Sequence, residues 1–151
     1  MADLTKWEKA YAAGLFDGEG CVCVYMRKSG TAHGRKDRAL RTNLIITGTD
    51  LRPLQWLQER WQGSVKIWTP RPNHKAVGAW RVFSNQADIF ARDIRPYLLV
   101  KAEQLDLWME ARKMMYSPGF MPGGLPEDEV AARRALVAKV SAMKTKGRRV
   151  S

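Results

Sequence analysis

The chain has 151 residues, which is the length of one ordinary globular domain and argues against a multi-domain protein. Hydrophobic residues make up 45% of the chain and charged residues 27%, and these near-average shares exclude a collagenous, disordered or membrane-embedded protein. The unusual property is charge, because 26 Lys and Arg against 15 Asp and Glu leave a net charge of +11, which indicates a polyanionic partner and above all nucleic acid.

The first predicted elements are a helix and a pair of strands. The helix covers about residues 6–16, since Thr5 can cap it and Glu8, three residues on, completes a capping box. Residues 20–28 and 40–47 carry β-branched and aromatic residues in partial alternation, which is typical of strands. We therefore expect a hairpin whose long connecting loop is rich in Gly, Arg and Lys.

The next elements repeat this unit of one helix and two strands. Asp50 is predicted to cap a helix over about residues 51–62 with apolar residues at helical spacing. Residues 64–70 and 79–84 are predicted as a second pair of strands around a loop with proline and glycine. Residues 27–41 and 52–95 each carry a net charge of +5, so the strands and their loops hold most of the positive charge.

Two further helices complete the predicted core. Asn85 is expected to cap a short helix that Pro96 breaks, and a longer helix covers about residues 100–116. The resulting order, α-β-β-α-β-β-α-α, predicts the α+β class with an antiparallel sheet.

The C-terminal part is predicted to form a separate appendage. Residues 117–126 are too rich in proline and glycine for regular structure, and the acids at 127–129 suit the start of a final helix. We therefore divide the chain into a core domain, residues 1–116, and a connector with a C-terminal helix and basic tail, residues 117–151.

The two cysteines bear on the cellular location. Cys21 and Cys23 lie two residues apart, without further Cys or nearby His to complete a metal site, and are expected to be reduced thiols. The first residues lack the order of a signal peptide, and no apolar stretch is long enough to span a membrane. We expect an intracellular, reducing location (cytoplasm or nucleoid, a phage-infected cell or an organelle) and no membrane partner.

One motif stands out at the end of the first helix. Residues 12–20 read Ala-Ala-Gly-Leu-Phe-Asp-Gly-Glu-Gly. Ala10, Gly14 and Gly18 recur every four residues, so a helix here has a strip with almost no side chain. Such a strip allows a second helix to approach its backbone closely.

The acids of the motif indicate a metal site. Asp17 and Glu19 alternate with glycines that free the backbone to turn, so a carboxylate can lie beside an exposed carbonyl and hold a hard divalent cation. The alternative is an ordinary helix-end turn in which Asp17 or Glu19 satisfies loop amides.

The motif resembles the signature of the LAGLIDADG homing endonucleases. The resemblance extends over roughly residues 7–116, because residues 46–50 and 63–65 are similar to the family's second strand and its entry to the third. Residues 94–98, which lead to Lys101, are similar to the segment that supplies the family's active-site lysine.

This resemblance implies a homodimeric, Mg²⁺-dependent DNA endonuclease, encoded by a mobile intron, that cuts both strands of a long pseudo-palindromic site. Because the chain has one motif, two copies are needed, and Ala10, Gly14 and Gly18 are the expected dimer interface. Glu19 and the Gly18 carbonyl are expected to bind metal, and Glu19 and Lys101 to be catalytic. Mn²⁺ is expected to substitute for Mg²⁺, and Ca²⁺ to support DNA binding without cleavage.

In this family the four strands form a saddle in the DNA major groove, and alternate side chains read base edges. The matching outward positions in this chain are Cys23, Tyr25, Arg27, Arg41, Asn43, Lys66, Trp68 and Arg81. Loop residues Arg35, Arg38 and Arg71 are expected to contact phosphates. The family's polar residue at the end of the second strand has no obvious counterpart near Gly48.

Three alternatives remain open at this point. A relative that has lost catalysis would act as an RNA maturase or as a DNA-binding regulator. A basic protein unrelated to this family would bind nucleic acid by other means. The positive charge could also be an ordinary solvated surface without such a partner. For Lys101 by itself the alternative is a solvated lysine at a helix start, and a one-residue slip in strand register would turn every proposed base contact to the other face.

Overall fold

The structure is a computed structural model that describes residues 3–26, 40–116 and 126–147. Within these residues it contains, in chain order, α1 (Lys6–Glu19), β1 (Gly20–Met26), β2 (Leu40–Gly48), α2 (Leu51–Trp61), β3 (Ser64–Trp68), β4 (Val77–Val82), α3 (Ser84–Ile94), a 3₁₀ turn (Arg95–Tyr97), α4 (Ala102–Tyr116) and α5 (Glu127–Gly147). The predicted order of elements and the α+β class are confirmed. None of these helices is long and apolar enough to cross a lipid bilayer.

The four strands form one sheet in the order β1-β2-β4-β3. Strand β4 is antiparallel to both of its neighbours, with Trp80 opposite Ile46 of β2 and Val65 of β3. Along β4, Trp80 and Val82 are buried while Arg81 between them is exposed. One face of the sheet therefore contributes to the core and the other faces solvent, as is usual for antiparallel sheets.

An aromatic cluster forms the centre of the core between this sheet and the helices. The ring of Phe90 in α3 makes edge-to-face contacts with Phe16 of α1 at 6.0 Å, Trp61 of α2 at 5.1 Å and Trp80 of β4 at 4.8 Å between ring centres. Each such pair contributes about 0.5–1.5 kcal/mol beyond the burial of its surface. These contacts hold the C-terminal half of α1 in a fixed position, because Phe16 is fully buried.

The starts of α1 and α2 follow the predicted capping chemistry. Thr5 Oγ1 accepts a hydrogen bond from the Glu8 N–H at 3.2 Å, and Glu8 accepts one from the Thr5 N–H at 3.0 Å, so the capping box is confirmed. Asp50 Oδ1 accepts from the Arg52 N–H at 3.0 Å and caps α2. Hydrogen bonds from the Arg52 side chain and backbone lower the pKa of Asp50 to about 2.

Three helix ends differ from the prediction. Helix α1 continues through the motif to Glu19, and the N–H of Gly20 still donates to the Phe16 carbonyl, so the predicted end near Phe16 was wrong. Asn85 is not the cap of α3: the extended residue Phe83 takes that position and its carbonyl accepts from the Ala87 N–H. Helix α4 starts at Ala102 rather than at residue 100.

Gly20 joins α1 to β1 and its small size is required by packing. Its backbone is extended, with φ −83° and ψ 158°, a conformation that any residue adopts. A Cβ at this position would, however, collide with both the ring and the carbonyl oxygen of Phe16. The last glycine of the motif is therefore needed so that the chain can leave the helix directly over a buried phenylalanine.

The chain divides into two compact units, Met1–Val22 with Asn43–Leu105 and Cys23–Thr42 with Asp106–Ser151. The first contains the aromatic cluster and the motif. In the second, the fully buried Trp108 lies beside the Arg112 guanidinium, 5.8 Å from the ring centre. Arg133 of α5 donates to the Met114 carbonyl of α4 at 2.9 Å, and this hydrogen bond joins the two helices within the second unit.

Candidate active site and nucleic-acid interface

The outward face of α1 carries the strip of small residues that the sequence predicts. Ala10, Gly14 and Gly18 are all exposed, whereas Ala12 and Ala13 on the other side of the helix are fully buried. Among the described residues, a Cβ added at Gly14 or Gly18 would meet no atom within 4 Å. Packing within this part of the chain therefore gives no reason for glycine at these two positions.

The first acid of the motif is engaged in the fold. The Asp17 carboxylate accepts three backbone hydrogen bonds, from the N–H groups of Leu99 at 2.7 Å, Val100 at 3.2 Å and Lys101 at 3.0 Å. These residues form the segment between the 3₁₀ turn and α4. Of the two roles left open for the acids, satisfying loop amides is the one that Asp17 performs.

The ammonium group of Lys101 lies at the C-terminal end of α1. Its ammonium donates to the carbonyl oxygens of Phe16 at 3.0 Å and Asp17 at 2.7 Å, and its own carbonyl accepts from the Leu105 N–H at the start of α4. Burial lowers the pKa of Lys101, while the negative charges of Asp17 and Glu19 act in the opposite direction. Lys101 therefore precedes α4 and caps the C-terminus of α1, rather than extending into solvent from a helical turn.

Glu19 differs from Asp17 in being exposed, and it has no hydrogen bond or ion pair with any residue that the structure describes. It ends α1 directly after Gly18, so its carboxylate and the Gly18 carbonyl belong to the same last turn. Among the described residues there is no group of three or more His, Cys, Asp or Glu that could hold a metal ion. Within the described residues, the last turn of α1 thus offers one carboxylate, that of Glu19, without a hydrogen bond or ion pair.

The end of β2 supplies no amide side chain, in agreement with the prediction. Gly48 lies opposite Gly78 of β4, where a larger side chain at residue 78 would collide with Leu51 and Leu54 of α2. Thr47, opposite Ala79, is the last residue of the strand with a polar side chain on the solvent-facing side. Thr47 and Thr49 are the polar residues that flank Gly48 at this end of the strand.

Strands β3 and β4 present the predicted DNA-contacting residues on their solvent-facing side. Lys66 and Trp68 lie on the same face of β3, opposite Ala79 and Val77, and Arg81 lies between Ile45 of β2 and Ser64 of β3. Lys66, Trp68 and Arg81 are all exposed. The three positions of this hairpin that the sequence predicted to face outward therefore do so.

Strands β1 and β2 show the same alternation. In β1, Val22 and Val24 are buried while Cys23 and Tyr25 alternate with them on the other side. In β2, Arg41 is exposed and Asn43 is half-buried, with its Oδ1 enclosed and without a hydrogen-bond partner. Both cysteines are thiols and not part of a disulfide, as expected.

Of the predicted phosphate contacts, the structure describes only Arg71. Arg71 is exposed in the turn between β3 and β4, where its carbonyl accepts from the His74 N–H at 3.2 Å. The predicted base contact Arg27 and the predicted phosphate contacts Arg35 and Arg38 lie outside the described residues.

Solved structures with this arrangement are homing endonucleases. I-CvuI, crystallised in complex with its target, has a TM-score of 0.71 at 18% identity, covering 91% of this chain and 82% of that one. The archaeal intron-encoded I-Vdi141I, complexed with DNA, has a TM-score of 0.68 at 17% identity, covering 91% and 84%. The LAGLIDADG meganuclease I-AabMI, bound to uncleaved DNA, has a TM-score of 0.63 at 18% identity, covering 89% and 44%. This chain has the LAGLIDADG homing-endonuclease fold.

The LAGLIDADG fold confirms the architecture that the motif at residues 12–20 predicted. This chain spans most of the length of I-CvuI and I-Vdi141I but less than half of I-AabMI. No family model and no curated protein sequence matches the chain.

Sequence reasoning left two features of this site undefined. Satisfying loop amides was an open alternative for both Asp17 and Glu19, and the sequence could not assign it to Asp17 because its partners lie more than 80 residues away in the chain. The sequence also singled out Asn43 for base contact without showing that its side-chain oxygen is enclosed.

Proposed function

We propose that this protein is a site-specific, double-strand DNA homing endonuclease that hydrolyses phosphodiester bonds as a homodimer. Its target would be a long pseudo-palindromic site, and its gene would lie in a mobile intron. The observation that carries this proposal is the exposed Glu19 carboxylate, which has no partner among the described residues and ends the exposed small-residue face of α1. A reducing, intracellular location fits the two thiols.

The small-residue strip supports the homodimer. Glycine inside a helix costs about 0.5–1 kcal/mol relative to alanine, and at Gly14 and Gly18 no neighbour in the chain requires it. Close approach of a second helix backbone accounts for this cost. Packing of two α1 helices about a two-fold axis would bring the two Glu19 carboxylates together, one for each DNA strand.

The residues at the end of α1 fit a magnesium ion. Mg²⁺ prefers oxygen ligands and is commonly held by one or two carboxylates together with substrate phosphates, which matches one Glu19 carboxylate and one Gly18 carbonyl per copy. A bound Mg²⁺ would supply charge stabilisation at the phosphate and an activated water. Mn²⁺ should substitute for it, and Ca²⁺ should support binding alone.

The remaining residues would bind and orient the DNA. Lys66 and Arg81 on the solvent-facing side of the sheet can donate to guanine O6 and N7, and Arg71 in the adjoining turn can contact phosphates. Lys101 lies beside the reacting end of α1, where a cation favours the approach of phosphate. The protein's net charge of +11 predicts binding that weakens steeply with salt.

The test is cleavage of a randomised plasmid library in Mg²⁺, with the cut ends sequenced and Ca²⁺ as the binding control. Wild type should cut both strands at one near-palindromic site. Glu19→Gln should lose cleavage, by roughly a hundredfold or more, at unchanged affinity for the DNA in Ca²⁺. The matched control is Glu103→Gln, which removes an exposed acid from the first turn of α4 and should cut normally.

Strong cleavage by Glu19→Gln would refute the metal assignment. Binding of one discrete site without cleavage in any divalent metal would instead show a DNA-binding regulator. Splicing of a host intron RNA by the same preparation would show a maturase, the remaining alternative for a protein with this fold.

A further inference from the structure

Two segments that are distant in sequence cap each other beside Glu19. Asp17, in the last turn of α1, accepts the three N–H groups of residues 99–101. Lys101, at the end of that segment, returns two hydrogen bonds from its ammonium to the carbonyls of Phe16 and Asp17. We call this set of five hydrogen bonds the Asp17–Lys101 clamp.

We propose that Asp17 is a positioning residue, and that the Asp17–Lys101 clamp fixes the last turn of α1 so that the Gly18 carbonyl and the Glu19 carboxylate hold one direction. The inference rests on the proposed function of Glu19 as a metal ligand. It assigns Lys101 a positioning role at the same site, in addition to its charge.

The need for a clamp follows from the sequence around Glu19. Glycines flank it on both sides, at Gly18 and Gly20, and glycine has the greatest backbone freedom of any residue. The last carbonyls of a helix also lack partners within the helix, so an uncapped end frays. Lys101 satisfies one such carbonyl, that of Asp17, directly before Gly18, and adds a second hydrogen bond to the Phe16 carbonyl, which also accepts the Gly20 N–H.

The segment that carries Lys101 depends in turn on Asp17. Leu99 is 92% exposed and Val100 is 71% exposed, so these side chains do not anchor it in the core. The bonds from its backbone to the carboxylate provide the anchor instead, and hydrogen bonds to charged groups are roughly twice as strong as those between neutral groups. Loss of either Asp17 or Lys101 should therefore loosen both segments.

The decisive experiment uses the metal-free, DNA-free protein, so that it does not depend on activity. Asp17→Asn keeps the size of the side chain but leaves one acceptor oxygen where the carboxylate had two. Amide hydrogen exchange at residues 99–101, measured by NMR, should become about tenfold faster or more. The control Glu103→Gln removes an equal charge near the same turn and should leave exchange unchanged.

The positioning of Glu19 is read from backbone ¹⁵N relaxation. In wild type the amides of Gly18 and Glu19 should have order parameters near those of rigid backbone, about 0.85, and in Asp17→Asn they should fall towards about 0.6. Lys101→Met serves as the second variant if Asp17→Asn fails to fold, and should mobilise the same two amides. Unchanged order parameters at Gly18 and Glu19 in both variants would overturn the proposal.

Cleavage assays then separate this inference from the proposed function. If wild type cleaves DNA, Asp17→Asn should need about tenfold more Mg²⁺ for half-maximal rate, because misplaced ligands bind metal less well, with unchanged DNA affinity in Ca²⁺. A wild-type Mg²⁺ response in Asp17→Asn would overturn the positioning role while the endonuclease proposal stands. If wild type does not cleave at all, the proposed function fails, and the exchange and relaxation data still decide whether the clamp holds the turn.

Discussion

The two sides of α1 both carry small residues, yet for different reasons. On the inward side, Ala12 and Ala13 are fully buried and lie in the same helix surface as Phe16, so their size is set by packing within the chain. On the outward side, Gly14 and Gly18 face open space. Small residues on the inward side are thus explained by packing within the chain, whereas packing within the described residues does not explain those on the outward side, which we propose to be the dimer interface.

The largest expected effect is a loss of stability caused by a substitution on the inward side of α1. Phe16→Ala removes a fully buried ring from the aromatic cluster and should lower the free energy of unfolding by about 3–5 kcal/mol. Urea denaturation followed by Trp fluorescence measures this change. Phe83→Ala, which truncates a phenylalanine that is 53% exposed, is the matched control and should cost less than about 1 kcal/mol. Equal losses in the two variants would contradict the assignment of Phe16 to the core.

The next effect is on the outward side and concerns association. Gly14→Leu places a side chain where the single chain has room, so the folded protomer should remain intact. Between two helices the added bulk should cost about 1–3 kcal/mol for each protomer, which weakens the dimer at least roughly thirtyfold. Sedimentation equilibrium measures the change, with Gln55→Leu at an exposed position of α2 as control. A Gly14→Leu protein that still sediments as a tight dimer would place the interface elsewhere.

The smallest expected effect is a change in stability at Gly14, and it tests whether a second helix packs against the outward side of α1. Gly14→Ala should stabilise the isolated protomer by about 0.5–1 kcal/mol, because alanine favours the helix and its Cβ meets nothing. At concentrations that favour the dimer the same methyl group should oppose close helix contact, so the gain should shrink or reverse. Thermal melts at low and high protein concentration test this. The same gain at both concentrations would mean that the outward side has no partner.

Local sequence signals predicted most of the fold. The capping box at Thr5 and Glu8 and the cap at Asp50 lie within three residues of the groups that they bond, and both were predicted correctly. The alternation of buried and exposed residues in β1 and β4 was also readable, because each strand has one apolar side.

Features that depend on distant partners were harder to predict. The end of α1 was placed near Phe16 because the glycines looked like a stop, but Lys101 caps the carbonyls there and the helix continues. The same applies to the division of roles between Asp17 and Glu19, since residues 99–101 meet Asp17 only after folding. Asn85 matched the usual composition of a cap, yet tertiary structure placed Phe83 at that position.

The crowding at Gly20 has a consequence for comparing homologous sequences. Its lack of a side chain is required by Phe16, whether or not the protein cuts DNA. A relative that has become only a binding protein is thus free to replace Glu19 but must keep glycine at the next position as long as a large ring precedes it in the last turn. Under the proposed function, an alignment should show glycine at position 20 wherever a large ring stands at position 16, and an acid at position 19 only where cleavage is retained.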